Sequence, residues 1–318
     1  MHRTKVEWAD RMWNPISGCM KNCSHCKCTE RGGTFSGDIR FNKSMTDQYS
    51  RDGEVFILDD VFITKTGQHA SRPFGFSPTF FRYRKKIIDE LKTPGNVVVG
   101  YEGDMFGPWI SDEMLKEVFD QAKGTQQRLL FVTTFPERYE ALEQKGILPE
   151  GDQYWYGWAV TKGKTKVPEI KGHRFMVCEP LLGPVGEIPE EVEWVVLGAD
   201  TKKYKDRVTP KEEWVDGIEA DCEKKGIPLF MGSSIEAYAS NPKKQYPEKL
   251  KTKELSSIRK GIYETDCNAC GKHGMKREMC ALSVQYGRGG PRYALGYLCH
   301  DCLDAWIEEY KLNDVPKL

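Results

Sequence analysis

Between residues 96 and 231 the chain alternates short apolar runs with longer amphipathic stretches. Asn96-Val97-Val98-Val99-Gly100 has the length and β-branching of a buried strand. Ser111-Asp112-Glu113, a capping serine followed by two acids, opens a helix that runs to about residue 122. Arg128-Leu129-Leu130-Phe131-Val132 predicts the next strand, and 136–144 the next helix, with Pro136 in its first turn. Further strands fall at 154–160, 174–178, 194–198 and 227–231, and a helix at 210–225. Strands that are apolar throughout, rather than alternating, are covered on both faces. The fold class is therefore α/β, a parallel sheet under helices. Counting a strand before Cys19, roughly six or seven strands are available, which suits a full or partial β/α, TIM-like barrel.

Two regions break the pattern. Residues 46–72 are polar and carry an expected hairpin over 55–63, with Asp59 and Asp60 at its turn, as an insertion or lid. Residues 237–260 are rich in Lys, Ser, Pro and Asn and read as a linker. The expected organisation is a barrel domain over 1–236, a linker over 237–262 and a cysteine-rich module over 263–318. Balanced charge, with 47 basic and 47 acidic side chains, argues against a whole-surface grip on nucleic acid or membrane. The start of the chain has no apolar signal-peptide core, and no run is long enough to span a bilayer. A cytoplasmic protein without a membrane partner is expected.

Eleven cysteines need an explanation in a reducing compartment. Nine fall in two clusters, 19–28 and 267–302, and such clusters usually mean metal. Cys178 and Cys222 stand alone and read as small buried apolar residues. Cys19, Cys23 and Cys26 have the spacing C-x₃-C-x₂-C after the first expected strand, in a loop opening onto the catalytic face of a β/α barrel. Three thiolates can hold a 4Fe–4S cluster and leave its fourth iron open, the favoured reading. A closed cluster or a zinc site completed by Cys28, and redox-active or incidental thiols, are the other two. Gly18, Gly32 and Gly33 let the loop bend, and His25 is placed to shield the cluster.

Trp13-Asn14-Pro15-Ile16-Ser17-Gly18-Cys19 with the next two cysteines resembles the opening of the phage-associated three-Cys-motif family, whose function is largely unassigned. The resemblance continues at 73–80, 82–84, 103–107 and 133–138, and is most specific at Glu179-Pro180-Leu181-Leu182-Gly183-Pro184. It covers about residues 5–235, and through its cysteine motif it resembles the radical S-adenosylmethionine superfamily. The resemblance implies a 4Fe–4S cluster and S-adenosylmethionine as cofactors and an adenosyl radical as their product. It also implies an external electron donor of flavodoxin or ferredoxin type, and a phage-infected or bacterial host cell. A nucleotide or nucleic acid is the substrate class it suggests. The chain departs from the family at Lys27, where Tyr is usual, at Thr134, where Lys is common, at Gly198-Ala199-Asp200 and at Phe230-Met231-Gly232-Ser233. These changes leave the three cysteines untouched.

Carboxylates after strands are candidates for binding the cofactor: Asp104, Glu179 and Asp200, with Glu102 beside them. The plainer alternative for Asp104 and Glu179 is that they shape loops by bonding backbone. Arg138 reads as a solvated surface residue, and Trp155, Tyr156 and Trp158 as two faces of a buried strand. Near the C-terminus, Cys267 and Cys270 are followed by Cys299 and Cys302, two C-x₂-C pairs that signal structural zinc in a zinc-ribbon or treble-clef-like arrangement. His273, Cys280 and His300 are spare ligand types. Lys276, Arg277, Arg288, Arg292 and Tyr293 lie between the pairs and read as a soluble loop rather than a nucleic-acid grip. The rival to an enzyme is a non-catalytic metal-binding factor for nucleic acid or protein.

Overall fold

The main sheet takes up its strands in the order in which the chain makes them. A computed structural model describes residues 6–26, 28, 36–91, 93–164, 166–201, 207–252, 264–275, 279–285 and 292–310. It divides into two compact units, Met1–Lys251 and Thr252–Leu318. In the first unit β1 (Arg11–Trp13) and β2 (Ile16–Ser17) precede the insertion strands β3 (Ser50–Asp52), β4 (Val55–Leu58) and β5 (Thr79–Phe81). Then come β6 (Asn96–Val99), β7 (Arg128–Thr133), β8 (Tyr154–Ala159), β9 (His173–Leu181), β10 (Trp194–Ala199) and β11 (Leu229–Met231). Strands β1-β6-β7-β8-β9-β10-β11 form one all-parallel sheet that curls into a half-barrel. Each crossover returns the chain to the same end, so every loop after a strand lies on one rim.

Alternation along these buried strands sends side chains to two different cores. Val98, Leu130, Trp155, Phe175, Val177, Trp194, Val196 and Phe230 pack with Trp8 on one face. The opposite face packs in two clusters, around Val97, Val99, Leu129, Phe131 and Tyr156, and around Trp158, Met176, Cys178, Val195 and Leu197. Helix α1 (Asp112–Ala122) buries Met114, Leu115, Val118, Phe119 and Ala122, and its Ser111 cap accepts from Met114 N as the sequence predicts. Helix α2 (Glu212–Lys225) stops at Gly226, left-handed at φ 67°, whose N–H reaches the carbonyls of Cys222 and Glu223.

A closed barrel, one of the two expected forms, is not formed among the described residues, because β1 and β11 are the two edges of the sheet. The outer edge of β11 is taken by residues 243–245 instead. Met231 N donates to Lys243 O and Gln245 N to Leu229 O, both at 2.9 Å. Glu7, which precedes β1, reaches the chain beyond β11: it accepts from Ser233 N at 2.8 Å and from Ser233 Oγ at 2.5 Å, and lies 3.6 Å from Lys244 Nζ. Residues 237–251, whose composition reads as linker, thus pack into the first unit. The insertion makes a second sheet, β2-β5-β4-β3. Its hairpin joins β3 to β4 through Gly53 and Glu54, not at Asp59 and Asp60. Phe62 turns in to pack with Phe56, Phe74 and Phe81, which draws the chain after Leu58 out of the expected second strand.

Two glycines fix where the first cysteine loop leaves the sheet. Gly18 sits at φ +86°, and a Cβ there would stand 2.4 Å from Ser77 O. A Cβ on Gly103 would stand 2.2 Å from Gly18 O. Gly18→Ala is expected to lower unfolding free energy by about 3 kcal/mol in urea titration, from steric overlap added to left-handed strain. Gly53→Ala, at φ +54° with nothing within 4 Å of its Cβ, is the control for strain alone, at about 1 kcal/mol. Equal losses at the two positions would refute the contact argument.

In the second unit, β12 (Glu264–Asp266) pairs with β13 (His273–Met275), and β14 (Cys280–Gln285) with β15 (Arg292–Leu298), both antiparallel. Helix α3 (His300–Tyr310) follows. Gly32, Gly33, Lys27, Lys276, Arg277 and Arg288 lie outside the described residues. Among the described residues, no helix is long and apolar enough to cross a membrane.

Candidate metal centres

The loop bearing Cys19, Cys23 and Cys26 is held at both ends and across its span. Gly18 N donates to Glu102 O at 3.0 Å and Cys19 N to Phe76 O at 3.2 Å, pinning its start beyond β6. Lys21 N points at Cys19 Sγ, 3.4 Å away, and Cys26 N closes a turn on Cys23 O at 3.1 Å. Asn22, just before that turn, is left-handed at φ 51°. Lys21 Nζ reaches Thr134 O, just past β7, at 3.3 Å, and stands 4.7 Å from the Phe135 ring centre. His25 Nδ1 meets Asp200 Oδ2, just past β10, at 3.0 Å. The loop therefore spans the rim of the sheet from β7 to β10.

Cys23 is exposed, and Cys19 and Cys26 are half-buried. Burial pushes the Cys19 thiol up to about 11, with Asp104 and the sulfurs of Cys23 and Cys26 adding to the rise. The Cys23 and Cys26 sulfurs thus lie within electrostatic reach of Cys19, but among the described residues these three thiols do not converge as ligands of one ion do. Three cysteines are a donor set of the kind that binds iron–sulfur clusters. Ligands to separate irons need not converge on one point. Cys28 is placed differently: its Sγ lies 3.7 Å from Tyr101 O. The Cys28 thiol donates a hydrogen bond to the Cys26 sulfur, and that bond, then burial, holds it far above the ordinary cysteine range.

The three candidate carboxylates stand past β6, near the end of β9 and just past β10, and have different partners. Asp104 is 4% exposed and spends both oxygens on the β7 end. Oδ1 accepts from Thr133 Oγ1 at 2.7 Å and Phe106 N at 3.2 Å, and Oδ2 accepts from Thr134 N and Thr134 Oγ1, both at 2.8 Å. Glu179 Oε2 accepts from Trp8 Nε1 at 3.3 Å and Tyr101 Oη at 3.2 Å. It lies across Gly198, where a Cβ would be 2.5 Å from its Cγ. Asp200 holds His25 and also accepts from Val208 N at 3.4 Å. Glu102 is paired with Arg72 at 2.5 Å. Arg138, expected to be solvated, instead pairs with Asp112 and donates to Ile110 O at 3.1 Å. Trp155 packs on one face of the sheet, and Tyr156 and Trp158 on the other.

Burial raises the Asp104 carboxyl despite its four donors. A raised carboxyl contributes stability that is complete below its unfolded-state value, about 3.9, and is lost as pH rises through the folded value. Asp104→Ala leaves the Thr133 and Thr134 donors unmatched, and an expected loss of about 3 kcal/mol follows. Urea titrations at several pH values should show the difference between wild type and variant shrinking as pH rises. A pH-independent difference would contradict the burial argument.

The C-terminal thiols converge more tightly. One sulfur from each of Cys267, Cys270, Cys299 and Cys302 lies within 4.8 Å of the others, the span of ligands to a single ion. The backbone N–H of Cys270 first, then that of Cys299, brings the Cys267 thiol down to about 6. Bonds to the sulfurs of Cys270 and Cys299 push Cys302 up to about 12. One thiolate is thus already favoured, and a divalent cation would favour the others. Gly271, at φ +73°, ends the first turn, and its N–H donates to Cys267 O at 2.9 Å. Asn268 ties this turn to β15 by exchanging hydrogen bonds of 2.9 Å with the Tyr297 backbone. Cys280 Sγ lies 3.7 Å from His300 Nδ1, outside the group of four. Cys178 and Cys222 are buried, and burial raises both thiols.

Trp8, Lys21, Tyr101 and Thr133 were not singled out from the sequence. Their roles depend on strands far apart in the chain, and an aromatic or threonine near a strand end carries no signal by itself. No curated protein and no solved structure matches the chain. One family match is found, over residues 3–257, which takes in the first cysteine loop and the whole parallel sheet and stops short of Cys267. The chain accordingly belongs to the family described as "Protein of unknown function (DUF5131)".

Proposed function

We propose that this chain is a radical S-adenosylmethionine enzyme whose 4Fe–4S cluster is held by Cys19, Cys23 and Cys26, with a zinc ion in the C-terminal module. The observation that carries this reading is the position of the C-x₃-C-x₂-C loop, on the C-terminal rim of a half-barrel of seven sequential parallel strands. When bound, the reduced cluster and S-adenosylmethionine supply a 5′-deoxyadenosyl radical that takes a hydrogen atom from substrate. The chain's own part is to hold and orient. His25 and Asp200 clamp the loop over the rim, and Gly18 and Gly103 fix its take-off. Glu179, steadied by Trp8 and Tyr101, offers a carboxylate to an amino group or to ribose hydroxyls. Cys28, whose thiol meets Tyr101 O and the Cys26 sulfur, is left out of the proposed ligand set, so that the cluster would keep one iron for S-adenosylmethionine. The phage or bacterial cytoplasm, an external flavodoxin- or ferredoxin-type donor and a nucleotide or nucleic-acid substrate belong to the same proposal and rest on the sequence resemblance.

Anaerobic purification is expected to give a brown protein. With dithionite and S-adenosylmethionine it should release 5′-deoxyadenosine and methionine, measured by chromatography. A colourless protein binding two zinc ions would replace this reading with that of a non-catalytic metal-binding factor.

A further inference from the structure

We infer that Arg72 and Glu102 form a subsite for an α-amino-acid head group, the guanidinium taking its carboxylate and Glu102 its ammonium. The pair stands where the first cysteine loop leaves the sheet. Glu102 O accepts from Gly18 N at 3.0 Å, and Arg72 comes to Glu102 from the insertion, 2.5 Å from its Oε1. Both side chains lie in electrostatic range of the Cys28 thiol, which meets the Cys26 sulfur.

Each partner of this ion pair is half used. Arg72 Nη1, a nitrogen with two hydrogens, is buried and has no acceptor among the described residues. At Arg138 and Arg174 the unmatched buried nitrogen is Nε, which carries only one. Glu102 accepts no hydrogen bond at its second oxygen among the described residues. Arg84, also in electrostatic range of Glu102, does not fill that place: it donates to Asn14 O at 2.8 Å and to Ser71 O at 2.9 Å. A buried charged donor without an acceptor is costly. The Arg72 side chain is 11% exposed and that of Glu102 25%, so the open side of the pair is the carboxylate's. An acceptor entering over Glu102 would end the deficit at Nη1.

The two signs select the ligand. A phosphate or a simple carboxylate at Nη1 would face Glu102, like charge against like, and a simple amine at Glu102 would face the guanidinium. Ammonium and carboxylate on one carbon present the right sign to each, and leave the neutral pair neutral. Two sources carry this chemistry. One is the methionyl end of S-adenosylmethionine, in which case the inference rests on the reading above. The other is an amino-acid substrate.

The test uses the full chain. Calorimetry measures affinity for S-adenosylmethionine, its decarboxylated analogue, methionine and N-acetylmethionine, and melting temperature screens the other amino acids. Arg72→Lys keeps a cation beside Glu102 but loses the Nη1 hydrogens. It should melt as wild type does, bind the carboxylate-bearing ligand at least about tenfold more weakly, and bind the decarboxylated analogue as before. Glu102→Gln should weaken ligands with a free ammonium by a similar factor and leave N-acetylmethionine unaffected. This dependence for S-adenosylmethionine and methionine identifies the cofactor's methionyl end. The same dependence for another amino acid, with S-adenosylmethionine indifferent to Arg72, identifies a substrate. Equal affinities of wild type and Arg72→Lys for every head-group ligand, or no binding of any by wild type, overturn the inference and leave the pair as an anchor of the insertion. A colourless chain that keeps Arg72-dependent binding would sink the cluster reading and leave this one standing.

Discussion

Cys19→Ala, Cys23→Ala and Cys26→Ala should each abolish iron–sulfur loading and S-adenosylmethionine cleavage, while Cys28→Ala should preserve both. The three proposed ligands lie on one loop braced from β7 to β10, with the Cys23 and Cys26 sulfurs in electrostatic range of Cys19. Loss of one thiolate removes one corner of the iron core, and alanine offers no replacement donor. Cys28 is the one thiol near enough to matter, and the structure gives it other contacts, Tyr101 O and Cys26. The measurement is iron and sulfide per chain after anaerobic reconstitution, with absorbance near the visible cluster band. A reduction of at least about tenfold is expected for each of the three variants, as befits loss of a direct ligand when even outer-shell partners are worth 10–100-fold in metal affinity. If Cys28→Ala destroys the cluster and Cys19→Ala spares it, the ligand set is wrong and the fourth iron is closed.

Removing the ion from the C-terminal site should unfold that module. Its described core is Cys267, Leu298 and Cys299, with Cys302 and Leu303 against them, so three of the five residues are the ligands themselves. Too little apolar surface is buried there to offset the entropy of ordering the chain without metal. Structural zinc contributes on the order of 10–16 kcal/mol of apparent binding free energy in small zinc-dependent folds. Cys270→Ser, or treatment with a strong chelator, is therefore expected to cost the helical signal of His300–Tyr310 and one zinc equivalent per chain. Circular dichroism and a colorimetric zinc assay read the two losses. A module that keeps its helix after complete zinc removal would contradict this account.

Some of this architecture needed no coordinates. The Val97-Val98-Val99 run, the Ser111 cap and the apolar segments at 128–132 and 194–198 are local signals, and each became the expected strand or helix. The insertion was harder to read. Its strands are two to four residues long, too short for any period to show, and its hairpin turned at Gly53 rather than at the two aspartates. Residues 243–245 look like linker because Lys and Gln carry no strand signal, but the β11 edge needs hydrogen-bond partners and takes its backbone. The choice between a full and a partial barrel was undecided for the same reason. Closure depends on how the first and last strands of the sheet meet, and here β1 and β11 form no ladder, while Glu7, before β1, bonds Ser233, after β11.

The sequence alone determined the parallel α/β class and the C-terminal cysteine set, because helix and strand periods and metal-ligand spacings are local properties of a chain. Only the tertiary structure decided what each carboxylate does. Asp200 meets His25 across 175 residues, Glu179 lies under Trp8 and Tyr101, and Asp104 is consumed by the end of β7. Those pairings follow from sheet order and register, which bring distant strand ends onto one rim and which no window of the sequence contains.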